Sequence, residues 1–302
     1  MPTRDSLYGT PDKLLARLRL HTEFATHPLG WFPWWHETVQ PARFARVLDV
    51  GCGDGSLWAA AESLPERLTL VDTSPGMLTR AGERVAGRGS EVVRVNASAH
   101  ALPFDDASFD AVIANHMLYH TTPPRALAEL RRVLSRGGRL FAATNGPDAM
   151  AEMHDLITVL RPSYRRPHFH EVFGLHNGPA MVAQHFEDVR VERYPNHLEV
   201  TDSRALIDYI LSMEATKDLT AEEQAQLRSG ADAQITEHGH LRIQGDTGVI
   251  TARAAQNPWA PRILEEQPDV EARLVDVQLH LRLDRDVDVV AEAVGDVAQL
   301  RE

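Results

Sequence analysis

The sequence predicts an α/β fold: a mainly parallel sheet of seven strands with helices on both faces. Two observations carry the prediction. Short apolar runs alternate with amphipathic helical patterns from Val47 to Ala254, as in chains that cross from strand to helix to strand. The first of these runs, V-L-D-V, stops at three alternating glycines, Gly51, Gly53 and Gly55, and an apolar, Ala-rich segment follows. That order reads as a buried strand, a tight turn and a helix. Glycine is needed in such a turn because a side chain would keep the backbone from a ligand and block the unusual dihedrals. The backbone of Gly51, Cys52 and Gly53 can then approach a ligand, and the free amides at the following helix start face whatever binds.

The remaining elements follow in order. Residues 68–72, L-T-L-V-D, form a second strand ending in Asp72, at a place where a carboxylate suits the paired hydroxyls of a ribose. Thr73, Ser74 and Pro75 open a helix, the proline near its first turn. Residues 92–95 give a third strand, and a fourth ends just before His116. A helix, a glycine turn and a fifth strand over 139–144 come next. Helices are expected near 148–160 and 178–185, strand six over 189–194, helices over 203–215 and 221–237, and a closing strand over 248–254.

Three regions result. Residues 1–45 form a helical lead-in, residues 46–255 the sheet domain with insertions at 146–188 and 200–240, and residues 256–302 an extension. Pro258, Pro261 and Pro268 mark a linker into that extension. Residues 274–283 alternate like a half-buried strand, and a short helix after Asp286 carries Val287, Val290, Val294 and Val297 on one face. Such a strand needs an edge to pair with, in its own sheet or in a second copy, so a homodimer through the extension is one expectation.

The order D-V-G-C-G-D-G resembles the first motif of the class I S-adenosylmethionine (SAM) methyltransferases, which implies a Rossmann-like methyltransferase fold and SAM as cofactor. In that family the acid corresponding to Asp49 lies near the ligand's amino-acid end. V-D-T-S-P-G-M-L is similar to the second motif, placing Asp72 and Thr73 at the ribose and Met77 on the adenine. The stretch N-A-S-A-H-A-L-P-F-D-D-A-S-F-D-A-V-I-A-N-H-M-L-Y-H resembles the third and fourth motifs of the type 11 branch, which includes quinone C-methyltransferases. Where that family often has an acid for the adenine amino group, this chain has Ser98, and a hydroxyl accepts without charge assistance. Ser98 and the Ala99 amide are the adenine contact the resemblance implies. A-N-H-M-L-Y-H lines the active site in that branch, which puts Asn115 beside the cofactor and His116, Tyr119 and His120 beside the acceptor. The resemblance spans residues 47–145.

His116 and His120 are candidate general bases, since an imidazole of ordinary pKa near 6.5 can take a proton as methyl arrives. The lead-in carries Arg17, which in the resembling family's arrangement would reach the SAM carboxylate. It also carries G-W-F-P-W-W, which reads as a lid strapped over the core or, through Trp31 and Trp34, as an aromatic wall over the sulfonium and substrate. Arg165 and Arg166, in the loop R-P-S-Y-R-R-P-H-F-H, suit a carboxylate or phosphate on the acceptor.

The composition excludes several rivals. Lys plus Arg number 31 against 43 Asp plus Glu, a formal charge of −12, which disfavours a nucleic acid substrate. No apolar run is long enough to span a membrane, the first residues lack the apolar core of a signal peptide, and the lone cysteine allows no internal disulfide; the expected location is the cytoplasm. Near-exclusive use of arginine over lysine hints at a bacterial source. His116/His120, His168/His170 and His238/His240 have chelating spacings, but no carboxylate cluster accompanies them in a recognisable order, and no metal is expected. The reading is a methyltransferase of a small-molecule acceptor, with oxygen or nitrogen ahead of carbon. The alternatives are a non-methylating reaction on the same scaffold, such as a cyclase or decarboxylase, an NAD(P) oxidoreductase, and an idle interaction module.

Overall fold

The computed structural model describes Ala16 and residues 19–255. Arg17, with residues 1–15 and 18, and the whole 256–302 extension lie outside the described residues.

Among the described residues nine strands form two sheets: β1 (Arg46–Val50), β2 (Arg67–Asp72), β3 (Glu91–Asn96), β4 (Phe109–Asn115), β5 (Leu134–Asn145), β6 (Glu187–Arg193), β7 (His197–Val200), β8 (Leu241–Gln244) and β9 (Thr247–Arg253). The large sheet has seven strands in the order β3-β2-β1-β4-β5-β9-β6. Pairs from β3 through β5 are parallel, and β9 runs antiparallel to both β5 and β6. β1 is buried throughout except its first residue, the pattern of a central parallel strand, whereas β3 at the edge is largely exposed.

Strand alternation divides the interior into two cores. Leu48 and Val50, Val112 and Ala114, Leu140 and Ala142 enter one, with Leu127 and Leu130 of the helix Pro123–Val133. Val47, Ala111 and Ile113, Phe141 and Ala143 enter the other, with Trp35, Trp58, Leu78 and Ala81. The latter side chains come from the helices Trp31–Val39, Ser56–Ala59 and Pro75–Val85. Pro75 occupies the first turn of its helix and Ser74 caps it, accepting from the Met77 amide, as the sequence suggested.

Three features depart from the sequence reading. The glycine turn before the fifth strand is a bulge inside it: β5 starts at Leu134, pairs there with Phe109, and resumes its register only at Arg139 with Ala111. β7 and β8 form a second, two-stranded antiparallel sheet that four-residue segments gave no periodicity to reveal. Beneath it lies a third core, built from Leu198, Val200, Leu206, Ile207 and Ile210 with Met153, Ile157 and Leu227. Part of the lead-in belongs to this third core: Leu20 is fully buried in it, Ala25 bridges Leu198, and Arg19 pairs with Asp202 at 3.0 Å.

Candidate active site

Strand order reverses between β1 and β4, and in open α/β sheets ligands bind at the carboxyl ends of strands at such a switch. The glycine loop leaves β1 there. The amides of Gly51 and Cys52 both donate to the Val71 carbonyl of β2, at 2.7 and 3.0 Å. All three glycines adopt positive φ, at 69°, 57° and 76°. A Cβ on Gly51 would lie 2.8 Å from that of Met117, and one on Gly55 2.8 Å from the Ala81 Cα, so these two permit the protein's approach to itself. A Cβ on Gly53 would meet nothing within 4 Å. The middle glycine alone borders open space, a cradle that a ligand can fill.

Acids hold the loop. Asp72 is buried at the end of β2; its Oδ2 accepts from the Gly53 amide at 3.0 Å and its Oδ1 from the Ser74 amide at 2.9 Å. The carboxylate is thereby oriented and keeps further lone pairs for hydroxyl donors. Asp54 accepts from the amide and hydroxyl of Ser56 and pairs with Arg84 at 2.7 Å, tying the loop to the helix Pro75–Val85. Asp49 is sealed at 1 % exposure. Trp58 donates to its Oδ2 at 2.7 Å, while Oδ1 has no partner. Burial pushes its pKa up to about 7, opposed by the Trp58 bond and reinforced by the charge of Asp72. Cys52 is half-buried and its thiol is pushed up, first by burial and then by Asp49 and Asp72, so it stays protonated and packs.

Of the SAM-binding residues expected from the sequence, Gly51, Cys52, Gly53, Asp49 and Asp72 meet in one place, and the site fits such a ligand on its own terms. It offers open space at Gly53, an aimed carboxylate at Asp72, and a buried acceptor without a donor at Asp49. Both amide atoms of Asn115, at the end of β4, are likewise buried and unpartnered. Met77 is buried under the start of its helix, and Thr73 is exposed beside Asp72. Ala99 is buried, while Ser98 is exposed and its Oγ accepts from the His100 amide at 3.2 Å.

Beyond β4 the chain turns through His116, which has φ 50° and donates its amide to the Ala143 carbonyl. Met117 packs on Gly51, so His116 stands beside the glycine loop. Around it is an aromatic group. Trp31 lies 5.4 Å from His116, 5.3 Å from Trp34 and 5.6 Å from Tyr194, and Trp34 lies 5.1 Å from Tyr194. His116 does not keep the ordinary pKa expected of it. Enclosure by these rings pulls the value down to about 4, because an imidazolium there would lose its water.

Tyr119 and His120 lie 4.6 Å apart, and both meet Phe169, at 5.4 and 5.3 Å. Phe169 opens the short helix Phe169–Val172, just after the basic segment 161–168. Arg165 and Arg166 in that segment donate to backbone carbonyls: Arg165 to Pro162 and Tyr164 at 3.0 and 3.1 Å, Arg166 to Ala149 at 2.6 Å. Each arginine fork has spare donors beyond those bonds. Sequence reasoning passed over Trp58, Asp54, Tyr194 and Phe169. Asp54 was legible as an Asx-type acid two residues before Ser56, whereas the other three meet their partners only through the fold.

Comparison with known proteins gives the following. Residues 48–142 match a family model described as a methyltransferase domain. The chain is 42% identical to a demethylmenaquinone methyltransferase of Clavibacter sepedonicus over 103 residues, covering 34% of this chain and 42% of that protein. It is 32% identical to a ubiquinone biosynthesis O-methyltransferase of Xylella fastidiosa over 185 residues, covering 56% of this chain and 74% of that protein. Across the first curated relatives the match spans about 42% to 56% of their length. The YcgJ protein of Bacillus subtilis shares the fold at a TM-score of 0.50 and 20% identity, covering 75% of this chain and 98% of that one. Among the described residues no helix is long and apolar enough to cross a membrane.

Proposed function

The chain belongs to the class I SAM-dependent methyltransferases, and from that premise we propose that it methylates an oxygen of a small-molecule acceptor. Nitrogen stands second and carbon third. The observation that carries the proposal is the meeting of the glycine cradle with the aromatic group through Met117 and His116. The O-methyltransferase named among the relatives, matched over most of its length, supports oxygen.

Bound SAM supplies a methyl group already activated on a sulfonium. The protein's tasks are then alignment and exclusion of water. Gly51, Cys52 and Gly53 line the cradle with backbone, Asp72 with Thr73 holds the ribose hydroxyls, and Met77, Ser98 and Ala99 border the adenine. Asp49 and Asn115, whose buried polar atoms lack partners, would face the cationic amino-acid end, while Arg17, expected at the carboxylate, lies outside the described residues. Trp31, Trp34 and Tyr119 bound the acceptor, which an acidic group would fasten to the spare donors of Arg165 and Arg166. His116, neutral at physiological pH, would accept a hydrogen bond from the acceptor's hydroxyl and take its proton as the methyl arrives, with the exposed His120 as the second candidate base.

The test is a metabolite screen with SAM, read by mass spectrometry. A one-methyl gain on an oxygen, abolished by Asp72→Ala, is the expected result. A product with no methyl gained, or a chain that binds NAD instead of SAM, would overturn it.

A further inference from the structure

The short helix Phe169–Val172 and the residue that caps it, His168, gather a side-chain set that methyl transfer does not use. His168, His170 and Glu171 bring their donor atoms within 4.8 Å of one another, and Nδ1 of His168 already lies 3.0 Å from a carboxylate oxygen of Glu171. Donors around a tetrahedral zinc ion, bound at about 2.0–2.1 Å, stand roughly 3.4 Å apart, so the set must draw in by about 1.4 Å at most to enclose an ion. Glu171 directly follows His170 and lies one helical turn after His168, which puts the carboxylate beside the histidine pair. We propose that His168, His170 and Glu171 form a site for one divalent ion of the zinc class, with a coordination position left open.

The chemistry of the donors selects the class. Two imidazoles and one carboxylate suit Zn²⁺ and its transition-metal neighbours over Mg²⁺ or Ca²⁺, which take oxygen shells. A further imidazole, His176, stands with its ring 5.8 Å from that of His170, within reach of the open position. Arg166, whose charge opposes a cation here, is turned to the Ala149 carbonyl. Phe169 lies between the two histidine ligands in the chain and rests on Tyr119 and His120, so a bound ion fixes this helix against the end of β4.

The site is tested without SAM or acceptor, so its failure leaves the proposed methyl transfer untouched. Tag-free, chelator-treated full-length protein is titrated with Co²⁺, and visible absorption is followed, then Zn²⁺ is added in competition. One equivalent of Co²⁺ with a d–d band displaced by Zn²⁺ is expected. His170→Ala and Glu171→Gln should weaken binding at least about tenfold, since even outer-shell losses cost that much. His238→Ala, in a histidine pair elsewhere, should bind as wild type does. Circular dichroism confirms that each variant folds. No saturable band would mean that His168 and Glu171 form an ion pair only. Unaltered binding in His168→Ala, His170→Ala and Glu171→Gln alike would place the ion elsewhere. Either result overturns the proposal.

Discussion

Asp49 is a carboxylate sealed from water, with one oxygen bonded to Trp58 and the other to nothing. Its pKa near 7 has a consequence for stability. Between the ordinary carboxylate range and pH 7 the folded chain keeps a proton that the unfolded chain has lost, so this group lowers stability as pH rises through that window. Asp49→Asn, which retains an acceptor for Trp58, should therefore raise the melting temperature more at pH 8 than at pH 5, by relief on the order of a few kcal/mol. The same residue should shed its proton when a cationic ligand arrives. Calorimetry of SAM binding near pH 6.5, in two buffers of different ionisation enthalpy, should show proton release in wild type and none in Asp49→Asn. For His116 the expectation runs the other way. With its pKa near 4 it is neutral throughout the working range, so the rate should follow no ionisation of His116 between about pH 5.5 and 8. A rising limb that disappears in His116→Asn would contradict this.

At the scale of the element, the glycine loop separates two uses of one residue type. Alanine at either Gly53 or Gly55 suffers the left-handed backbone, at roughly 1–2 kcal/mol. Gly55→Ala also drives its Cβ into Ala81 of the neighbouring helix, whereas Gly53→Ala points into open space. Thermal denaturation should accordingly find Gly55→Ala much the less stable of the two. SAM titration should find that Gly53→Ala loses affinity out of proportion to its small loss of stability. Equal stabilities, or an undiminished affinity in Gly53→Ala, would count against the cradle. The motif was readable from three glycines after an apolar run, but which glycine faces the ligand was not. That depends on Met117 and Ala81, distant in sequence and brought in by β4 and the helix Pro75–Val85.

For the whole molecule, three cores divide the work. Two lie on the faces of the large sheet and carry the glycine loop, and the third, around Leu198, Leu206 and Ile210, lies under the small sheet. Leu206 is fully buried there, so Leu206→Ala should cost about 2–5 kcal/mol. The stabilisation by SAM should survive that change, at about 2.7 kcal/mol when SAM stands at a hundred times its dissociation constant. Thermal shifts with and without SAM in both proteins check this, and a lost SAM increment in the variant would show the cores to be coupled. The sequence by itself determined the parallel sheet, its order of strands and helices, the loop at Gly51–Gly53–Gly55 and the acids at its rim. Those features are local: each is written in the periodicity, punctuation or ending of one continuous segment. Tertiary structure decided the small sheet of β7 and β8, the bulge in β5, the enclosure that keeps His116 neutral, the Trp58 bond to Asp49 and the approach of Phe169 to His120. Each of these depends on the distance between residues that only the folded chain sets, and on the water that folding removes from between them.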